Sequence, residues 1–153
     1  MNLATQDILD KETVNYIVTA LERHRNAQII FEITESESIK DFNAMDNFIR
    51  QVRRLEAKIA IDDFGSGYSN FVYLAEMKPD YIKIDGSIIK SICTNENSLH
   101  VARSIIDMAT NLKIKTIAEF VGDAKTLEKL KSLGAECAQG YFIAKPRAMI
   151  TAA

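Results

Sequence analysis

The sequence predicts an α/β fold with a parallel sheet, and three observations point there. Short apolar runs of strand length alternate with segments whose apolar residues fall at helical spacing. The runs are rich in β-branched and aromatic residues. Each of them also carries polar or charged residues at or near its carboxyl end. The strand runs are "QIIFEIT" (28–34), "KIAIDD" (58–63), "DYIKID" (80–85), "IKTIAEF" (114–120) and "CAQGYF" (137–142). Helical faces are formed by Val14, Ile17, Val18 and Leu21, and by Phe42, Met45, Phe48, Ile49 and Val52. Leu99, Ala102, Ile105, Ile106 and Ala109 make a third face, and Leu127, Leu130 and Leu133 a fourth.

At 153 residues the chain is one domain's worth, 1–153, long enough to bury a hydrophobic core. Apolar residues make up 47% and charged residues 26%, a globular rather than disordered composition. A net charge of −2 argues against a broad DNA or RNA surface and against an anionic membrane surface. No apolar run reaches the ~18 residues of a membrane span, and no signal peptide opens the chain. Cys93 and Cys137 lie far apart without metal-ligand spacing, which suits free thiols in a reducing cytoplasm. The expectation is a cytoplasmic protein.

The polar strand ends carry the functional reading. Glu32 belongs to the first run, Asp62 and Asp63 to the second, Lys83 and Asp85 to the third, Glu119 to the fourth and Gln139 to the last. Parallel strands in a wound α/β protein bring their carboxyl ends to one face, so these groups converge. Acids meeting a lysine and an amide outline a divalent-cation site with a phosphate-facing lysine, and Asp62 is expected nearest its centre. The bland alternative for any single acid is a helix cap, and Glu35, Asp80 and Asp123 are candidates for that. The "GSG" at 65–67 lacks the lysine of a P-loop and reads as a tight exit turn.

These residues make the sequence resemble the EAL-domain family, bacterial phosphodiesterases that hydrolyse cyclic di-GMP. The matching segments are "MNLATQDIL" (1–9), "FEITES" (31–36), "IDDFGSGYSN" (61–70), "YIKIDGSII" (81–89), "TIAEFV" (116–121) and "AQGYFIAKP" (138–146). The resemblance implies a TIM-like (β/α) barrel, here partial, with about five parallel strands alternating with helices. It implies Asn2, Glu32 and Asp62 as ligands of one divalent ion, with Asp63 turned to a second, the pair being Mg²⁺ or Mn²⁺. Lys83 corresponds to the lysine beside the water and the scissile phosphate, Glu119 to an acid acting as general base or water-positioning ligand, and Gln139 to a polar group of the water network. Glu35 corresponds to an acid that anchors the loop after Asp62 and Asp63. The implied product is linear pGpG.

The sequence departs from the family pattern in three places. The Glu-Ala-Leu motif with its metal-binding glutamate is absent, and "LEAK" at 55–58 does not replace it. Gly122 and Asp123 stand where a second glutamate is usual, and Phe120 where glycine is usual. The expectation is therefore the carboxyl-terminal part of an EAL barrel, its amino-terminal strands lacking, inactive or nearly so as a separate chain. The alternative is a non-catalytic EAL-like module that binds cyclic di-GMP or a protein partner. Self-association is expected through the open barrel edges or through the segment 68–73.

Overall fold

A computed structural model describes residues 1–34, 41–67 and 71–146, with only the backbone of 71–73. Glu35, assigned above to loop anchoring, lies outside the described residues, as do 68–70 of the expected association segment. The strands are β1 (Asn2–Leu3), β2 (Ile30–Thr34), β3 (Lys58–Phe64), β4 (Tyr81–Ile84), β5 (Lys115–Ala118) and β6 (Cys137–Ala138). Between them run α1 (Thr5–Leu9), α2 (Lys11–Arg23), α3 (Phe42–Arg54), α4 (Phe71–Met77), α5 (Gly86–Ser91), α6 (Glu96–Asn111) and α7 (Ala124–Leu133). All five strand pairings are parallel, in sequence order from β1 to β6. The sixth strand, beyond the five apolar runs, is the two-residue β1, whose Asn2 pairs in register with Glu32. Within the described residues the sheet has two edges, at β1 and β6.

The helices form because their apolar residues recur at the helical period and their first turns are capped. In α3, Met45, Phe48, Ile49 and Val52 are all buried, and the Phe48 ring meets Phe31 of β2 edge to face at 5.7 Å. Burying such side chains stabilises by roughly 1.5–3 kcal/mol each. Asp41 caps α3 by accepting from the amides of Asn43 and Ala44. Asp123, weighed above as a cap, does cap α7 through the Thr126 amide. Asp80 does not cap a helix: it accepts from the Ile59 amide and so ties the start of β4 to β3.

Strand alternation then sorts the side chains. Phe31 and Ile33, Ile59 and Ile61, and Ile82 and Ile84 enter the core with the helices. Their neighbours Glu32, Asp62 and Lys83 take the opposite face of the same strands. Four of the five runs are shorter than their sequence suggests, two of them markedly. The run 114–120 is strand only over Lys115–Ala118, because Phe120 takes a left-handed φ of 52°. The run 137–142 is strand only at Cys137–Ala138, because the chain turns at Gly140.

Candidate active site

The site sits at the carboxyl ends of β2 to β6 and is organised by Lys83. The Lys83 side chain rises from mid-β4 between Ile82 and Ile84, and the residue is only 7% exposed. Its Nζ lies 2.6 Å from Glu32 Oε2, 2.8 Å from Asp62 Oδ1 and 3.0 Å from Glu119 Oε1. Burial alone would depress the pKa of this ammonium. The hydrogen bonds to Asp62, Glu32 and Glu119 outweigh burial and hold it above the ordinary lysine range. The centre of the cluster is therefore the Lys83 ammonium rather than Asp62, the residue expected there. A buried cation with three donors can satisfy three acids at once, whereas a carboxylate at the centre would repel the other two.

Asp62 and Asp63 reach the same site by a backbone device. Consecutive residues of a strand point to opposite faces, so two adjacent acids should diverge. Here the pairing of β3 with β4 shifts register between Ile61 and Phe64, and Asp63 has a φ of 54°. Such a bulge re-aims a side chain. Carboxylate oxygens of Asp62, Asp63 and Glu119 consequently lie within 4.8 Å of one another. Burial, the Asp62 charge and the Asp85 charge raise the Asp63 pKa, with Lys83 opposing them. Burial also raises Glu119, which is only 5% exposed, against the pull of Lys83.

Gln139, at the turn after β6, donates from Nε2 to Glu119 Oε1 at 2.5 Å. Gly140 makes this approach possible, because a Cβ there would lie 2.3 Å from the backbone N and O of Val121. Asn2 stands beside Glu32 in register, and it is exposed at the sheet edge. The structure thus brings Glu32, Asp62, Asp63, Lys83, Glu119 and Gln139 together, with Asn2 adjacent through β1. Asp85, counted with the strand-end acids, is the N-cap of α5 and accepts from the Ser87 amide at 2.8 Å.

A cavity of about 780 Å³ opens beside this cluster, bounded by Glu119, Phe120, Gln139, Tyr141, Lys90 and Lys145. Lys90 lies with its Nζ 4.3 Å from the Phe120 ring centroid. Sequence reasoning picked out Phe120 as unusual but missed Lys90, which lies on α5 and carries no strand-end signal. The three clustered carboxylates are hard oxygen donors, the set that suits Mg²⁺ or Mn²⁺ rather than a thiolate-seeking metal.

A rim of parallel strands presenting hard oxygen donors and one buried lysine defines an α/β protein with an acidic site that could hold a metal ion. The chain belongs to the EAL-domain family, whose EAL domain matches residues 1–146. It is 38% identical over 119 residues to the cyclic di-GMP phosphodiesterase PdeB of Shewanella oneidensis, covering 78% of this chain and 14% of that protein. It is 37% identical over 123 residues to the cyclic di-GMP phosphodiesterase PdeF of Escherichia coli K12, covering 80% of this chain and 16% of that one. The fold matches the solved structure of the PaMucR phosphodiesterase in complex with c-di-GMP at a TM-score of 0.85 and 29% identity. That match covers 95% of this chain and 60% of the other. The chain therefore spans well under a quarter of the length of the two phosphodiesterase relatives, PdeB and PdeF. EAL phosphodiesterases use divalent metal ions, and the Asp62, Asp63 and Glu119 oxygens form an acidic cluster of that kind.

Proposed function

We propose that this chain carries the catalytic rim of a cyclic di-GMP phosphodiesterase that hydrolyses its substrate to linear pGpG. One observation carries the reading: three carboxylates, in β2, in β3 and just after β5, meet one buried ammonium at 2.6–3.0 Å, with Asp63 brought in by a bulge. So dense a set of charges is costly to assemble without an ionic ligand. Asn2, Glu32, Asp62 and Asp63 would hold the divalent ions, with Mg²⁺ or Mn²⁺ suiting the donors. When bound, such ions polarise the phosphodiester and lower the pKa of the attacking water. Glu119, its pKa raised by burial, takes the proton from that water. Gln139 fixes the Glu119 oxygen that does so. Lys83 would stand beside the scissile phosphate and give a hydrogen bond to a non-bridging oxygen once Glu32 and Asp62 are taken over by the divalent ions. Water oxygen bonds to phosphorus, the phosphorus–O3′ bond breaks with its electron pair on O3′, and the proton that Glu119 took from the water passes through solvent to that oxygen. The neighbouring cavity, with its aromatic wall of Phe120 and Tyr141 and its lysines 90 and 145, receives a guanosine portion.

No Glu-Ala-Leu glutamate stands in this sequence. The chain by itself therefore turns over slowly, since the ions lack one carboxylate ligand. Residues 1–153 are taken as one domain, a reading supported by the single cluster of buried apolar side chains among the described residues. A second copy covers the open strand edges, and light scattering showing a monomer at about 50 μM would count against that. The decisive assay is pGpG formation from cyclic di-GMP with Mn²⁺ by this chain and by one extended to include a Glu-Ala-Leu segment, with Glu119→Gln placed in the extended chain. Glu119→Gln should lower turnover by roughly 10²–10⁴-fold while cyclic di-GMP binding persists. Equal turnover by the extended chain with and without Glu119→Gln would remove Glu119 from the chemistry. Binding without turnover, even in a chain extended to include a Glu-Ala-Leu segment, would identify a cyclic di-GMP-binding module instead.

A further inference from the structure

The opposite rim of the sheet carries a second charged feature, of the other sign. At the amino ends of β3, β4 and β5 lies a cavity of about 470 Å³, lined by Lys58, Lys78, Asp80, Tyr81, Lys113 and Lys115. Four of the nine lining residues are lysines, on a chain whose net charge is −2. Asp80 is the one acid in the lining, and it is already engaged by the Ile59 amide at 3.0 Å and by Arg53 at 3.8 Å. Among the described residues, none of the four ammonium groups forms an ion pair with a carboxylate.

The backbone holds these lysines in place. Lys115 is the register partner of Tyr81 across β4 and β5, and the Lys58 Nζ lies 3.3 Å from the Tyr81 hydroxyl. Lys78 and Lys113 occupy the turns that lead into β4 and β5, at φ values of 48° and 60°. Glycine meets that conformation at least cost, so a lysine at both turns is not what the turns themselves favour. Their place after helices α4 and α6 suits the negative end of a helix dipole, which accounts for two of the four. It does not account for Lys58 and Lys115, which begin strands.

We infer that this rim is a binding site for a soluble, multiply charged phosphate anion, of the diphosphate or triphosphate class. Lysine binds phosphate as a point charge, and several around one recess select for charge number. The volume falls within the range of small-molecule sites. A lipid headgroup is the other source of the same chemistry, but the lining has no exposed aromatic wedge. Its apolar members Pro79 and Ile114 are buried, and Leu112 is the one exposed large apolar side chain. Binding to a bilayer needs a broader apolar face. Asp62 lies four steps along β3 from Lys58, roughly 13 Å. The site is therefore distinct from the carboxylate cluster, and it stands or falls independently of the proposed hydrolysis.

The test is calorimetric titration of the chain with sodium tripolyphosphate in moderate salt. The expected result is saturable binding of one anion per chain below about 1 mM. The triple variant Lys58→Gln, Lys113→Gln, Lys115→Gln should weaken it by at least about tenfold. A charge-matched triple, Lys11→Gln, Lys125→Gln, Lys131→Gln, should leave it within about twofold. Amide shifts on titration should centre on Tyr81, Lys113 and Lys115, a readout that needs no variant to fold. No saturable binding, equal loss in both triples, or shifts centred on Lys83 and Glu119 would each overturn the inference. So would binding to phosphatidylglycerol vesicles by a chain that ignores tripolyphosphate.

Discussion

Replacing Lys83 with methionine keeps the volume of the side chain and removes the one cation that three acids share. Lys83 and Glu119 have side chains 9% and 6% exposed, Asp62 13% and Glu32 27%. Breaking a buried ion pair costs roughly 3–5 kcal/mol, and the partial exposure of Glu32 lowers the expected loss to about 2–4 kcal/mol. For a chain of this size that is a fall in Tm of roughly 5–15 °C. The sign of the pH dependence follows from the charges. In the wild type the raised Lys83 pKa gives stability that is complete below the ordinary lysine value of 10.5 and is lost as pH rises through the higher folded value. It is therefore constant between pH 5 and 8. Burial already raises Glu119 and Asp63 against the pull of Lys83, so in Lys83→Met that opposition is gone and the variant loses stability as pH rises from the unfolded carboxylate values through the higher folded ones. The deficit should be larger at pH 8 than at pH 5. Mn²⁺ should then restore the variant, since an ion at about a hundred times its Kd adds ~2.7 kcal/mol. Thermal melts of both proteins at the two pH values, with and without Mn²⁺, check this. A variant that melts with the wild type at pH 8, or that ignores Mn²⁺, would refute the claim that these acids form a cation site.

Gly140→Ala should cost roughly 1–3 kcal/mol, because the added methyl meets the Val121 backbone at 2.3 Å. It should also depress turnover in any active form, by pulling Gln139 off Glu119; melts and the pGpG assay read the two effects. Phe120→Gly relieves a left-handed aromatic residue, worth about 1–2 kcal/mol. It also loses the Lys90 contact and adds glycine entropy, each about 0.5–1 kcal/mol. The net change in Tm should stay within about 4 °C. The Thr126 amide and hydroxyl hold the Asp123 carboxyl below its ordinary value of 3.8. That cap stabilises the fold above the ordinary value and is lost as pH falls through the lower folded one. Asp123→Asn should therefore flatten the acid side of the Tm–pH profile between pH 2 and 5.

The local periods in this sequence determined the architecture and much of the site. Ile59 and Ile61, or Ile82 and Ile84, repeat every second residue, and Met45, Phe48, Ile49 and Val52 repeat at the helical period. Those patterns depend on neighbours a few residues apart, so they are legible without a structure. Because parallel strands end on one face, Glu32, Asp62, Lys83 and Glu119 could also be grouped from their places at strand ends. Asp63 and Gln139 belong to the same strand-end group, and the resemblance of "MNLATQDIL" to the EAL family added Asn2. What tertiary structure alone decided is the arrangement inside the group. Strand alternation would send Asp63 away from Asp62, and only the bulge at φ 54° turns it back. Lys83 rather than Asp62 lies at the centre because three strands, 51 residues apart between Glu32 and Lys83, set their registers against one another. The four lysines of the opposite rim, spread from 58 to 115, meet for the same reason. Distances between residues remote in the chain come from register, twist and packing, which no local pattern encodes.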